Sequence, residues 1–275
     1  MNCINVLKNL VLKSQFYVSF CATLLGIFVL KEQESYQYSL AVVLFLTFWN
    51  GYIFTVFHKK KDAIFINLVG FALITFLIFT FINLEFFIKW LIILLLGSLY
   101  NADFFKINFR EFSLIKTFYV GFVWAMSLVW LPLNNENLCI DFSSLFSSDF
   151  IRCFINSSLR DFPIHWFFII FFFVSGITFP FEIRDLDRDQ FPTLPKVLGV
   201  KNTKYLSIIF LLFSGILAYI NLEKKFAISF GITIVVSIIL AIFSSKKRPD
   251  WYYSFLLGSL SALPFLILIL LKYFC

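Results

Sequence analysis

Residues 181–199 read FEIRDLDRDQFPTLPKVLG, a polar interruption between long, almost unbroken apolar runs. The stretch holds four of the chain's sixteen acidic residues, Glu182, Asp185, Asp187 and Asp189, with Arg184 and Arg188 among them. Pro180 and Pro192 bracket the charges, so 182–190 reads either as a short helix or as the charged end of the helix before it. At about 100° per residue, Glu182, Asp185 and Asp189 fall within roughly 60° of one another, while Arg184, Asp187 and Arg188 point elsewhere. Three carboxylates at a membrane edge make an oxygen-rich cation site. Mg²⁺ suits it, because that ion takes one or two carboxylates and completes its shell with water and substrate phosphate. On charge content alone, the alternative is a solvated loop whose Arg and Asp residues pair off.

Working outward, the rest of the chain defines the setting. At 60% hydrophobic and 14% charged over 275 residues, with a mean hydropathy of +0.89, it carries more apolar surface than one soluble core can bury. A soluble globular domain is excluded, and the expected class is an all-α integral membrane protein with one polytopic domain over 1–275. Only helices or closed barrels pair every backbone polar group inside a bilayer. The net charge of +7 points to topology determinants on the cytoplasmic side rather than to nucleic acid. Five cysteines, Cys3, Cys21, Cys139, Cys153 and Cys275, share no metal-ligand spacing, so neither zinc nor a disulfide framework is indicated. The 41 phenylalanines are a compositional bias without a separate function.

Nine apolar segments are expected to cross the hydrocarbon core, at 12–30, 38–57, 63–81, 85–101, 114–131, 163–181, 203–221, 226–243 and 252–271. A polar interval at 133–162, weakly amphipathic at Phe150, Ile151, Phe154 and Ile155, is expected on the membrane surface. Sixteen of the 23 Lys and Arg residues fall at the N-terminus and in the even-numbered loops. That asymmetry predicts a cytoplasmic N-terminus, with Asp185 and Asp189 facing the cytoplasm. In a bacterium the host membrane would be the plasma membrane.

The wording of 181–199 resembles the second aspartate-rich motif of the UbiA superfamily of intramembrane prenyltransferases. That motif is N/D-x-R-D-x-x-x-D followed by a T-L-P turn and an L-G. Arg184, Asp185 and Asp189 stand at the matching spacing, followed by Thr193, Leu194, Pro195, Leu198 and Gly199. Glu182 replaces the usual Asn or Asp, and the link from Asp189 to Thr193 lacks the usual Gly-Lys. Nine helices with a cytoplasmic motif after the sixth also match the UbiA-type arrangement, which implies a helical bundle around a cytoplasm-facing cavity. The family's first motif, N-D-x-x-D-x-x-x-D, falls at the end of the second helix. There Asn50 is in place, but the aspartate positions are Gly51, Phe54 and His58, all poor magnesium ligands. One of the family's two metal sites is therefore expected to be absent or altered. His58 beside Lys59, Lys60 and Lys61 reads as a hydrogen-bond donor to a phosphate or as a solvated helix end.

The resemblance implies Mg²⁺ held by Asp185 and Asp189, with Glu182 as a third ligand, and the two aspartates as the catalytic pair. It implies that Asn50, Lys106, Arg110 and Arg184 bind the diphosphate of a polyprenyl substrate; Lys106 and Arg110 follow Tyr100, where family members place a tyrosine and basic residues. For Lys106 and Arg110 the other reading is anchoring at the inner interface. Trp124, Trp130, His165 and Trp166 are expected to serve packing or the far interface. Two functions follow. An enzyme would move a prenyl group to an acceptor of unstated identity. A silent UbiA-type fold would bind an isoprenoid lipid or a membrane partner without turnover. A transporter has only the span count behind it, since no paired repeat or broken-helix pattern is present.

Overall fold

The computed structural model describes residues 15–57, 61–100, 113–133, 162–187 and 193–274. Among the described residues every regular element is a helix and there is no strand. The first four are α1 (Phe16–Glu32), α2 (Tyr38–Phe57), α3 (Lys61–Phe81) and α4 (Leu84–Leu99). Next come α5 (Ser113–Ala125), which ends in a π turn over Met126–Trp130, and α6 (Ile164–Arg184), which ends in a 3₁₀ turn over Asp185–Asp187. A short α7 (Leu194–Leu198) leads into α8 (Val200–Asn221), α9 (Lys224–Phe243) and α10 (Leu263–Phe274).

Each of the nine apolar segments expected from the sequence carries helix. By length and composition, five helices can cross a membrane: α2, α3, α6, α8 and α9. With 17 and 16 residues, α1 and α4 fall short of the roughly 20 that a bilayer core requires. The apolar stretches Ile115–Trp130 in α5 and Leu263–Tyr273 in α10 are shorter too. The ninth expected segment, 252–271, is not one continuous helix. A π turn over Tyr252–Leu257 stops, and α10 begins at Leu263. Pro264 lacks the N–H that a continuing helix would need, and it suits the first turn of a new one. Of the polar interval 133–162 expected on the membrane surface, residues 134–161 lie outside the described residues.

The polar stretch of 181–199 begins as the charged end of α6, which runs through Pro180. A proline in mid-helix leaves the carbonyl four residues earlier without its donor, here that of Gly176. Ser207 on α8 supplies the replacement, its hydroxyl donating to the Gly176 carbonyl at 2.7 Å. Two turns on, Ser214 makes a second bond across the same seam, donating to the Ile169 carbonyl at 2.7 Å. Small residues let these two backbones approach, as membrane interfaces favour. A Cβ on Gly176 would lie 2.9 Å from Leu211 Cγ. The same logic joins α5 to α6, where a Cβ on Gly121 would sit 2.9 Å from the Phe171 carbonyl oxygen. Phenylalanines fill the remaining seam: Phe210 of α8 contacts Phe118 of α5 and Phe172 and Phe179 of α6, with centroids 5.2 to 5.6 Å apart.

Two cores result. In the larger, Phe28 of α1 packs on Trp166 of α6 and on Phe226 and Phe230 of α9. In the smaller, Leu44, Ile74, Trp90 and Trp130 join α2, α3 and α4 to the end of α5. Trp166 also donates its indole N–H to Glu32 at 2.6 Å, in keeping with the structural role expected of it. On α4, Lys89 and Glu85 form an ion pair at 2.6 Å, with side chains 0% and 2% exposed. Lys89 also donates to the Leu133 carbonyl at 2.8 Å and lies over the Trp130 ring.

The T-L-P and L-G elements form the hinge between α6 and α8. Thr193 precedes α7 in an extended conformation, and its carbonyl accepts from Lys196 and Val197. Gly199 closes α7 at φ 83°, ψ 154°, a conformation essentially confined to glycine. Gly199→Ala is expected to cost about 1–3 kcal/mol. Thermal unfolding in detergent checks this as a lowered midpoint.

Candidate functional site

The α-helical spacing used to read 181–199 does not extend past Arg184. The chain tightens to a 3₁₀ turn at Asp185, where each residue advances by about 120°. Arg184 and Asp185 are thereby brought together, and the expectation that Arg184 points away from the carboxylates is corrected. Its Nε and Nη2 donate to Asp185 Oδ1 and Oδ2, both at 2.8 Å. The guanidinium also lies 5.3 Å from the Phe181 ring centroid and 5.6 Å from that of Tyr253. A cation in the last turn suits the helix C-terminus, and it offsets the acidic residue that caps the same end. Asp187 turns outward and pairs with Lys246 at 2.8 Å.

Glu182 takes a third direction. It is 2% exposed, and its Oε1 lies 3.1 Å from Lys116 Nζ and accepts from the Thr117 hydroxyl at 3.4 Å. Among the described residues no three His, Cys, Asp or Glu side chains group to hold a metal ion. Asp189, Lys106, Arg110 and His58 lie outside the described residues. One carboxylate nonetheless meets the minimum for Mg²⁺, which uses one or two plus phosphate oxygens.

A cavity of about 510 Å³ opens beside this end of the bundle, between α2, α3, α4 and α5. Asn50, Gly51 and Phe54 line it, so three positions of the first-motif region face one space. The opposite wall is aromatic, with Tyr119 and Trp124 on α5. Asn50 reaches across the α2–α3 crossing and donates to the Asn67 carbonyl at 3.3 Å. Gly70 makes room for it, since a Cβ there would stand 2.6 Å from Asn50 Nδ2. Arg184 and Asp185 are not among the lining residues. What connects the two places is α5: Lys116 and Thr117 face Glu182, and Tyr119 and Val120, less than two turns on, line the cavity.

Comparison with family models, with curated proteins and with solved structures returns no match.

The resemblance gives Glu182 to the metal; its pairing with Lys116 depends on how α5 packs on α6. Asn67 was missed altogether. Its signal was present: one carboxamide within the otherwise apolar body of α3.

Proposed function

We propose that the chain is a UbiA-type membrane prenyltransferase that uses a polyprenyl diphosphate, with Mg²⁺ as cofactor. The observation that carries the reading is adjacency. A cluster of paired charges at the end of α6 is joined through α5 to an apolar, aromatic cavity of about 510 Å³. A prenyl diphosphate has the same division, a charged head on a hydrocarbon chain.

In this reading nine helices cross the membrane with the N-terminus in the cytoplasm. Arg184 and Lys116 face the diphosphate head, where fixed cations stabilise charge that grows on a leaving group. Asp185 would hold Mg²⁺, with Asp189 as its partner; the resemblance adds Lys106 and Arg110 on the head. Bound there, the ion supplies Lewis-acid neutralisation of the phosphate oxygens. The bond between prenyl C1 and the diphosphate oxygen breaks, and the electron pair leaves with the diphosphate. The acceptor then bonds to C1 and loses a proton. Tyr119 and Trp124 offer the allylic cation ring faces and keep water from it.

A second reading, a silent isoprenoid-binding fold, draws on two features: Asp185 is chelated by its own neighbour, and the first-motif positions present no carboxylate to the cavity. Incubation with Mg²⁺ and labelled geranylgeranyl diphosphate separates the two. Release of diphosphate is expected of the transferase; binding without release over hours would leave the silent fold.

A further inference from the structure

The 3₁₀ turn at the end of α6 has a second neighbour, the loop 244–251 that follows α9. Two contacts place the loop beside the turn. Lys246 Nζ donates to both carboxylate oxygens of Asp187, at 2.8 and 3.1 Å. Tyr253, just beyond the loop, brings its ring to 5.6 Å from the Arg184 guanidinium and 6.0 Å from the Phe181 ring.

The loop is pinned rather than loose. Arg248 Nε donates to the Phe243 carbonyl at 3.1 Å, and the Tyr252 hydroxyl donates to that of Leu240. Tyr253 makes the third tie. Its hydroxyl donates to the Ser245 carbonyl at 2.7 Å and accepts from the Ser245 N–H at 3.0 Å. The residue is 0% exposed, and a phenylalanine would fill the same space. What the hydroxyl adds is a fixed backbone at Ser245, the residue before Lys246. The Lys246–Asp187 pair, by contrast, is open to water, with side chains 42% and 76% exposed, and such pairs contribute little. A phosphate offers more charge and more acceptor oxygens than a carboxylate, so Lys246 exchanges one for the other at small cost.

We infer that the loop 244–251 belongs to the headgroup site: Lys246 is a further cation for a diphosphate, and Tyr253 is the positioning residue that holds it there. The inference rests on the reading of the α6 end as the diphosphate site and deepens it with a cation from another part of the chain. Tyr253 touches no phosphate itself. It fixes the backbone that carries Lys246, and a side chain presented from an ordered loop loses less freedom on binding.

The test is equilibrium binding of labelled farnesyl diphosphate to the purified chain in detergent, with Mg²⁺ at fixed ionic strength. Lys246→Met should bind about tenfold more weakly than the wild type. Asp187→Asn/Lys246→Met removes the pair with no net change of charge and should still bind more weakly, which separates contact with phosphate from neutralisation of Asp187. Tyr253→Phe should lose about as much as Lys246→Met, and adding Lys246→Met to it should cost little more, because both act through one contact. A merely structural tyrosine would lower the unfolding midpoint and leave the affinity unchanged. Lys246 is partly exposed, so its variants decide the matter even if Tyr253→Phe fails to fold. Wild-type affinity in Tyr253→Phe or in either Lys246 variant, or losses that multiply when Tyr253→Phe and Lys246→Met are combined, overturns the inference and leaves the site at Arg184 and Asp185 standing. A wild type that binds no farnesyl diphosphate overturns that site, and this inference with it.

Discussion

Replacing Glu85 by leucine is expected to cost about 3–5 kcal/mol, among the largest losses for a single substitution in this chain. The reason is what remains. Lys89 has a side chain 0% exposed, so without Glu85 a full charge is buried with only the Leu133 carbonyl and the Trp130 ring to compensate it. The partners sit one turn apart on α4, so removing one does not reposition the other. The double variant Glu85→Leu/Lys89→Met removes both charges and is expected to recover most of the loss, since buried pairs are often replaceable by apolar residues of similar volume. Unfolding midpoints in detergent for the wild type, both single variants and the double variant close the cycle. A double variant no more stable than Glu85→Leu would show that the pair is not the source of the effect.

The second large effect is on binding. Asp185→Asn keeps the shape of the side chain but removes the hard anionic ligand proposed for Mg²⁺. It also loosens a bidentate, charge-assisted contact and leaves Arg184 more available to phosphate. Farnesyl diphosphate should then bind with no dependence on Mg²⁺, and at least about tenfold more weakly than the wild type when the ion is present. Glu182→Gln provides the contrast. Glu182 is committed to Lys116 and Thr117, so its loss should lower stability yet keep the Mg²⁺ dependence. If Asp185→Asn matches the wild type in Mg²⁺, the acidic turn is a solvated end and lipid binding becomes the better account.

How far the sequence could be read depended on the range of the interaction involved. The membrane class is a summed property, and it was legible; of the nine expected crossings, five described helices have the length and composition for one. The pairing of Arg and Asp in 181–199 was also legible as one of two alternatives. What selected it was the tightening at Asp185, a change of helical pitch that a fixed 100° step does not contain. Whether α6 ended at Pro180 or ran past it depended on Ser207, which satisfies the freed Gly176 carbonyl from another helix. No local pattern carries that information. The break in the ninth segment was different, because Pro264 stood in plain view and hydropathy averaging hid it. Likewise, Asn67 was visible as a lone amide in α3.

The central claim is that the end of α6 holds a prenyl diphosphate through Mg²⁺. Its most direct test is the affinity of the purified wild-type chain for farnesyl diphosphate at fixed ionic strength, measured with Mg²⁺ and again with the ion removed by chelation. The account predicts binding at least about tenfold tighter with Mg²⁺. Equal affinity in the two conditions would contradict it.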